Sequence, residues 1–190
     1  ELCEICRIII LDREVLEDCS NNDTCPKISF FKDYIFLIAG ILHFNENIVS
    51  SEELDIILSR DYIITVTQEK NSIIYELLRD IMESKNCHIL KEKPKPYMVL
   101  YYILDRIIVK NYSVISSIEA AADRIEINIL KNPEHRQLEK LINIRRQVFK
   151  IKKCLNPLRY IGDSLLGNDN SIIEKDGLEY FIYLNNRIGK

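Results

Sequence analysis

Glycine is scarce in this sequence, with 5 residues in 190, and none falls in a G-x-G-x-x-G or G-x-x-x-x-G-K-[ST] run. Neither of the loops that commonly bring backbone amides onto a phosphate is present, so the nucleotide-binding folds built on them are disfavoured. Tryptophan is absent, and neither charge dominates: 26 basic residues face 29 acidic ones. A chain this close to neutral lacks the basic footprint that phosphate backbones require, and nucleic acid is not an expected partner. Long apolar runs are missing too. The longest, Tyr34 to Leu42, is about half of the ~20 residues a helix needs to cross a bilayer. The chain opens on Glu1 with no basic segment leading into an apolar one, so no export signal is read.

What is present is ordinary for a folded domain. A hydrophobic share of 47% against 29% charged residues is enough to bury a core and excludes a disordered chain. The cysteines are Cys3, Cys6, Cys19, Cys25, Cys87 and Cys154. With a core available and no export signal, they are read as reduced thiols. Cys3-Glu4-Ile5-Cys6 has the C-x-x-C spacing of zinc and redox sites, but structural zinc sites usually pair two such tight knuckles. Cys19 and Cys25 are spaced too widely to be the second, so the cysteines at the start read as small apolar residues on a helix. His43, His88 and His135 are far apart and none lies in H-E-x-x-H or beside a G-x-S-x-G turn. No catalytic triad assembles from local motifs, and the chain is not read as an enzyme.

The hydrophobic pattern changes along the chain. Glu1 to Asp18 is compatible with a helix, stopped by the turn-rich segment Ser20 to Pro26. Lys27 to Phe31 and Tyr34 to Phe44 are rich in β-branched and aromatic residues and read as a strand pair joined at Lys32-Asp33. Asn45 to Val49 reads as a loop, and Glu53 to Leu58 and Tyr62 to Thr67 as two further strands joined at Ser59-Arg60-Asp61. Strands in succession with short connections favour an antiparallel or mixed sheet.

After Gln68 the period becomes helical: Ile73, Ile74, Leu77, Leu78, Ile81 and Met82 recur at steps of three and four. Lys91 to Pro96 is a charged, proline-punctuated linker. A stripe from Tyr97 to about Leu130 then runs without glycine or proline, and Asn132-Pro133 ends it. A second stripe passes through Leu138, Leu141, Ile142, Val148, Phe149, Leu155, Leu158, Ile161 and Leu165. Two long helices joined by a short break should lie antiparallel and bury these stripes against each other, with a kink at Pro157. Gly167 to Ser171 reads as a loop, and a third helix begins near Ile173. The expected fold is therefore α+β: a sheet packed with helices over residues 1–91, then a long-helix region over 92–190 with the start of a third helix.

The residues that carry chemistry are acidic. Glu17 and Asp18 adjoin at a helix end, Asp105 borders an apolar stripe, and Glu174, Asp176 and Glu179 open the last helix. Carboxylate oxygens suit hard cations, and Mg²⁺ is commonly held by one or two of them while keeping several waters. Asp105, set among Leu104 and Ile107, calls for a cation, a hydrogen bond or exposure, because an unpartnered buried carboxylate is costly.

Several stretches, taken in order, carry a resemblance. They are Leu16-Glu17-Asp18, Pro26-Lys27-Ile28 with Phe30 to Phe36, Ser59 to Val66, Leu104-Asp105-Arg106-Ile107 with Asn111-Tyr112, Asn156-Pro157-Leu158-Arg159, and Glu179-Tyr180-Phe181. Together they resemble the CorA family of magnesium and cobalt transporters, in the cytoplasmic part that precedes the membrane helices. The resemblance implies a homopentamer in the cell inner membrane, with this segment cytoplasmic and reaching the membrane through C-terminal helices that the chain lacks. The implied role is metal sensing and gating. Mg²⁺ would be the transported and regulatory ion, with Co²⁺, Ni²⁺ or Zn²⁺ as alternatives, and no organic cofactor is implied.

By motif match Asp18 and Glu17 would contact the cation, joined by Asp105 on the long helix. The family's partner acid on the last helix falls at Asn186 and a nearby acid at Tyr183. An amide keeps one oxygen ligand but loses the charge, so Mg²⁺ binding at that interface should be weak. Two other readings are the family's zinc-transporting branch, which shares the fold, and a helical interaction protein without a transport role. Because the implied pentamer is tied together largely by membrane helices, the 190-residue chain alone is expected to be monomeric or weakly associated. Sedimentation showing a tight pentamer at micromolar concentration, with or without Mg²⁺, would contradict this.

Overall fold

The structure, a computed structural model, describes residues 9, 11–21, 25–67, 71–132, 135–167 and 172–188. Of the helix expected over Glu1 to Asp18, residues 1–8 and 10 lie outside the described residues, as do the Cys3 and Cys6 pair, Asn22 to Thr24, Pro133 and loop residues 168–171, and the described part is helical only from Arg13. Helix α1 (Arg13–Ser20) leads into strands β1 (Lys27–Phe30), β2 (Tyr34–Asn45), β3 (Ile48–Ser59) and β4 (Ile63–Val66). Helices α2 (Ser72–Met82), α3 (His88–Glu92), α4 (Pro96–Lys131), α5 (His135–Leu165) and α6 (Lys175–Ile188) follow. The strands form one four-stranded antiparallel sheet in the order β1-β2-β3-β4.

The unbroken apolar run of β2 has a direct structural reason. Successive side chains on a strand point to opposite faces, and β2 is covered on both. Ile35, Leu37, Ala39 and Ile41 join Leu54, Ile56 and Leu58 of β3 in a core with Met98, Leu100, Leu104 and Ile107 of α4, Leu158 and Ile161 of α5, and Phe181 of α6. On the other face Phe36, Ile38 and Ile57 pack with Val15 of α1. Further along, Leu42 and Val49 meet Val114 and Ile118 of α4 and Ile151 and Cys154 of α5. Gly40 is where α5 comes closest: a Cβ built there would lie 2.5 Å from Cys154 Sγ.

The β2–β3 connection is shorter than the loop expected over Asn45 to Val49. Asn45 pairs with Ile48, leaving a two-residue turn of Glu46 and Asn47 with positive φ values of 50° and 63°. That geometry matches the right-handed twist of the flanking strands. Without a glycine to announce it, and with the first half of β3 polar and largely exposed, the turn reads as loop from sequence.

Beyond Ile38, β2 has no partner on β1, and before Asp55, β3 has none on β4. The long helices supply the missing hydrogen bonds from side chains. Asn111 of α4, buried to 1% exposure, accepts from Leu42 N at 2.7 Å and donates to Gly40 O at 3.1 Å. Gln147 of α5 accepts from Val49 N at 2.8 Å, and Lys150 donates to Val49 O at 3.1 Å.

Pro96 sits at the start of α4, where its missing N–H costs nothing. The helix runs 36 residues, roughly 54 Å at ~1.5 Å per residue. Pro157 lies inside α5, which remains one helix from His135 to Leu165. The expectation that the two stripes bury each other along their whole length is corrected at the distal end. Ile127 and Leu130 of α4 and Leu138, Leu141 and Ile142 of α5 are exposed, because the sheet that buries the proximal turns does not reach them; Phe149 is exposed on the face of α5 turned away from the sheet.

Replacing Asn111 by Leu keeps the volume but leaves a buried N–H and a buried C=O unpaired. The expected loss is roughly 2–4 kcal/mol, read as a lower midpoint in urea unfolding. An unchanged midpoint would mean that the clamp does not carry the edge of β2.

Candidate cation-responsive site

Helix α1 is held to the sheet by apolar and polar contacts. Val15 is fully buried, and the Tyr34 hydroxyl donates to Asp12 Oδ2 at 2.6 Å while accepting from Asp12 N at 3.0 Å. Burial and this carboxylate push the Tyr34 pKa well above its usual value. The helix thus brings Glu14 and Asp18 to Lys27 of β1.

Asp18 Oδ2 lies 2.6 Å from Lys27 Nζ at the start of β1, and Lys27 also lies 3.6 Å from Glu14. The Asp18 side chain is only 16% exposed. Hydrogen bonding to Asp18 outweighs the cost of burial and holds the Lys27 ammonium pKa above its ordinary value. Glu17 points to solvent and pairs with Arg13 one turn back at 2.8 Å.

Asp55 of β3 is a residue the sequence reading missed. It pairs in register with Ile38 and Val66, and so belongs to the face that α1 covers. At 4% exposure its carboxyl is pushed up to about 7, first by burial and then by the neighbouring Glu53 charge. One signal was available: Asp55 is the one polar residue in the otherwise apolar run Leu54 to Leu58.

Asp105 lies on the other side of the sheet, on the part of α4 that packs against Leu37 and Ile56. Its carboxylate forms an ion pair and hydrogen bond with Arg187 Nη1 of α6. Arg187 also lies over the Tyr183 ring, 5.9 Å from its centroid, and its carbonyl accepts from Tyr112 OH at 2.7 Å. Asn186 is exposed on α6 beside this pair. The acids at the start of α6 tie that helix to the beginning of α4: Glu174 pairs with Lys95 and Asp176 with Lys93, each at 2.8 Å. The structure therefore brings Asp105, Arg187 and Tyr183 together, with Asn186 the exposed chain neighbour of Arg187, and places them on the opposite side of the sheet from Glu17 and Asp18. Neighbouring Arg106 makes its own pair with Asp80 at 2.7 Å.

Carboxylate oxygens are the right donors for Mg²⁺, but a cage requires several of them to converge. Among the described residues no three His, Cys, Asp or Glu side chains do so. His43 pairs with Glu52 at 2.9 Å, and none of Cys19, Cys25, Cys87 and Cys154 is in a disulfide. No helix among the described residues is long and apolar enough to cross a membrane.

The chain is thus a four-stranded sheet flanked by one short helix and a pair of very long ones, with acids on both sides. The family profile described as CorA-like Mg²⁺ transporter protein matches residues 1–190, and the chain belongs to that family. It is 27% identical over 169 residues to the cobalt/magnesium transport protein CorA of Thermotoga maritima, covering 88% of this chain and 47% of that protein. The chain spans about half the length of that curated relative. Its fold is that of the soluble domain of CorA from Methanocaldococcus jannaschii, with a TM-score of 0.77 at 18% identity over 98% of this chain and 74% of that one. The ZntB cytoplasmic domain from Vibrio parahaemolyticus is equally similar, with a TM-score of 0.78 at 15% identity over 99% of this chain and 73% of that one.

A carboxyl whose folded pKa is raised binds its proton more tightly folded than unfolded. Stability from Asp55 is therefore full below about pH 4 and lost as pH rises to about 7. Asp55→Asn should raise the thermal midpoint by roughly 5 °C at pH 8, with the gain shrinking at pH 5. An equal effect at both pH values would show that Asp55 does not titrate in this range.

Proposed function

We propose that this chain is the metal-sensing and gating domain of a CorA-type divalent-cation transporter. The observation that carries the reading is the family match along all of residues 1–190. The globular part, residues 1–91, senses the ion, and the long-helix region, 92–190, transmits the response toward the membrane from the cytoplasmic side. Mg²⁺ and Co²⁺ are the favoured ions, on the strength of the named function of the Thermotoga maritima relative. The likeness to ZntB keeps Zn²⁺ as the second reading.

The sensing contact is Asp18, assisted by Glu17, with the Asn186 amide offering an oxygen from the α6 side, where Asp105 is already held by Arg187. In one copy these groups stand on opposite sides of the sheet, so a shared cation needs a second copy of the chain. Self-association into a pentamer, as the resemblance implies, supplies that copy. It also gives cover to the apolar residues left exposed on the distal α4–α5 hairpin, such as Leu130 and Leu138.

In the intact transporter, Mg²⁺ is expected to protect the domain from protease, and Asp18→Ala to raise the Mg²⁺ concentration needed by tenfold or more, on the order of 1.4 kcal/mol. Protection of the variant at the same concentration as the parent would remove Asp18 as the sensor. Replacing Mg²⁺ by Zn²⁺ in the same assay separates the two ion readings.

A further inference from the structure

Each carboxylate predicted to meet the cation already holds a cationic side chain of its own chain. Glu17 holds Arg13 at 2.8 Å, Asp18 holds Lys27 at 2.6 Å, and Asp105 holds Arg187. The three pairs are not equivalent. The Arg13 and Glu17 side chains are 91% and 65% exposed, and a pair so well solvated is weak and readily exchanged. The Lys27 and Asp18 side chains are 34% and 16% exposed, and those of Arg187 and Asp105 are 28% each. There, water screens less and the pair holds more firmly.

We propose that Lys27 is a built-in competitor for the cation position at Asp18, and that Arg187 occupies the corresponding position at Asp105 as a permanent substitute for the metal. The inference rests on the sensing role proposed above. A divalent ion reaches Asp18 only by displacing the Lys27 ammonium, which sits between Asp18 and Glu14 and neutralises one of their two charges. Removing that ammonium changes the local charge of the Asp18, Glu14 and Lys27 group from −1 to −2 and frees Asp18 Oδ2. At Asp105 the competitor is an arginine whose guanidinium also lies over Tyr183 and whose backbone carbonyl is tied to Tyr112. With the neighbouring acid position an uncharged Asn186, no net negative charge remains there to attract an ion. The consequence is a sensor with a high threshold on the α1 side and a joint between α4 and α6 that stays closed at any metal concentration.

The test measures, in the intact transporter, the Mg²⁺ concentration that gives half-maximal protease protection. Lys27→Gln should lower it about tenfold, which is ~1.4 kcal/mol, Lys27→Arg should leave it unchanged, and Asp18→Asn added to Lys27→Gln should abolish the gain. Arg187→Gln should introduce a Mg²⁺ dependence of α4–α6 protection that the parent lacks. If Lys27→Gln leaves the midpoint where it was while Asp18→Ala still shifts it, the competition is wrong and Asp18 remains the sensor. A higher midpoint in Lys27→Gln, with a melting temperature no lower than that of Lys27→Arg, would also overturn it, since Lys27 would then assist binding. If neither the parent nor any variant responds to Mg²⁺, the sensing reading fails and this inference falls with it.

Discussion

Strand β2 is buried on both faces, and among the described residues its backbone beyond Ile38 has no neighbouring strand on one side. A backbone N–H or C=O in such a place must find a partner or cost most of a hydrogen bond's desolvation. Asn111 meets this constraint for Gly40 and Leu42, and Gln147 with Lys150 does the same for Val49 on β3. Because those side chains project from α4 and α5, the long helices are part of the sheet's hydrogen bonding as well as its apolar cover. Gly40 is then required at the point where α5 approaches, since Cys154 fills the space a Cβ would take.

That docking has consequences for the charged groups. With α4 and α5 fixed to the sheet, α6 is set against them by Phe181 and Leu184 in the core and by the pairs Lys93–Asp176 and Lys95–Glu174 at its start. Arg187, near the other end of α6, then meets Asp105. On the opposite face α1 is placed by Val15 and the Tyr34–Asp12 hydrogen bonds, which bring Asp18 to Lys27. The acids on the two sides are thus positioned by independent contacts, and only another copy of the domain can place one set opposite the other.

Much of the fold was legible from the chain itself. The switch from β-branched strand segments to three- and four-residue periodicity after Gln68 separates sheet from helices, as observed in β1 to β4 and α2 to α6. Strand period and helix period are local properties, set by backbone geometry and by which side chains must avoid water. The Glu46-Asn47 turn was less legible because its positive φ values fall on residues other than glycine. The exposed distal stripe misled because periodicity reports an amphipathic helix and not what lies against it. The candidate acids were found as residue types in a family order, yet their partners could not be found this way: Lys27 is nine residues from Asp18, and Arg187 is 82 from Asp105.

By itself the sequence determined the succession of strands and then helices, and the family, because each follows from local pattern or ordered motif. The tertiary structure alone decided that Asn111 completes the sheet, that Asp55 is a buried acid beside α1, and that the predicted cation ligands already hold lysine and arginine. Those facts depend on distances between residues remote in the chain. Electrostatic and hydrogen-bond energies are set by such distances and by the loss of water, neither of which is written in any local stretch of sequence.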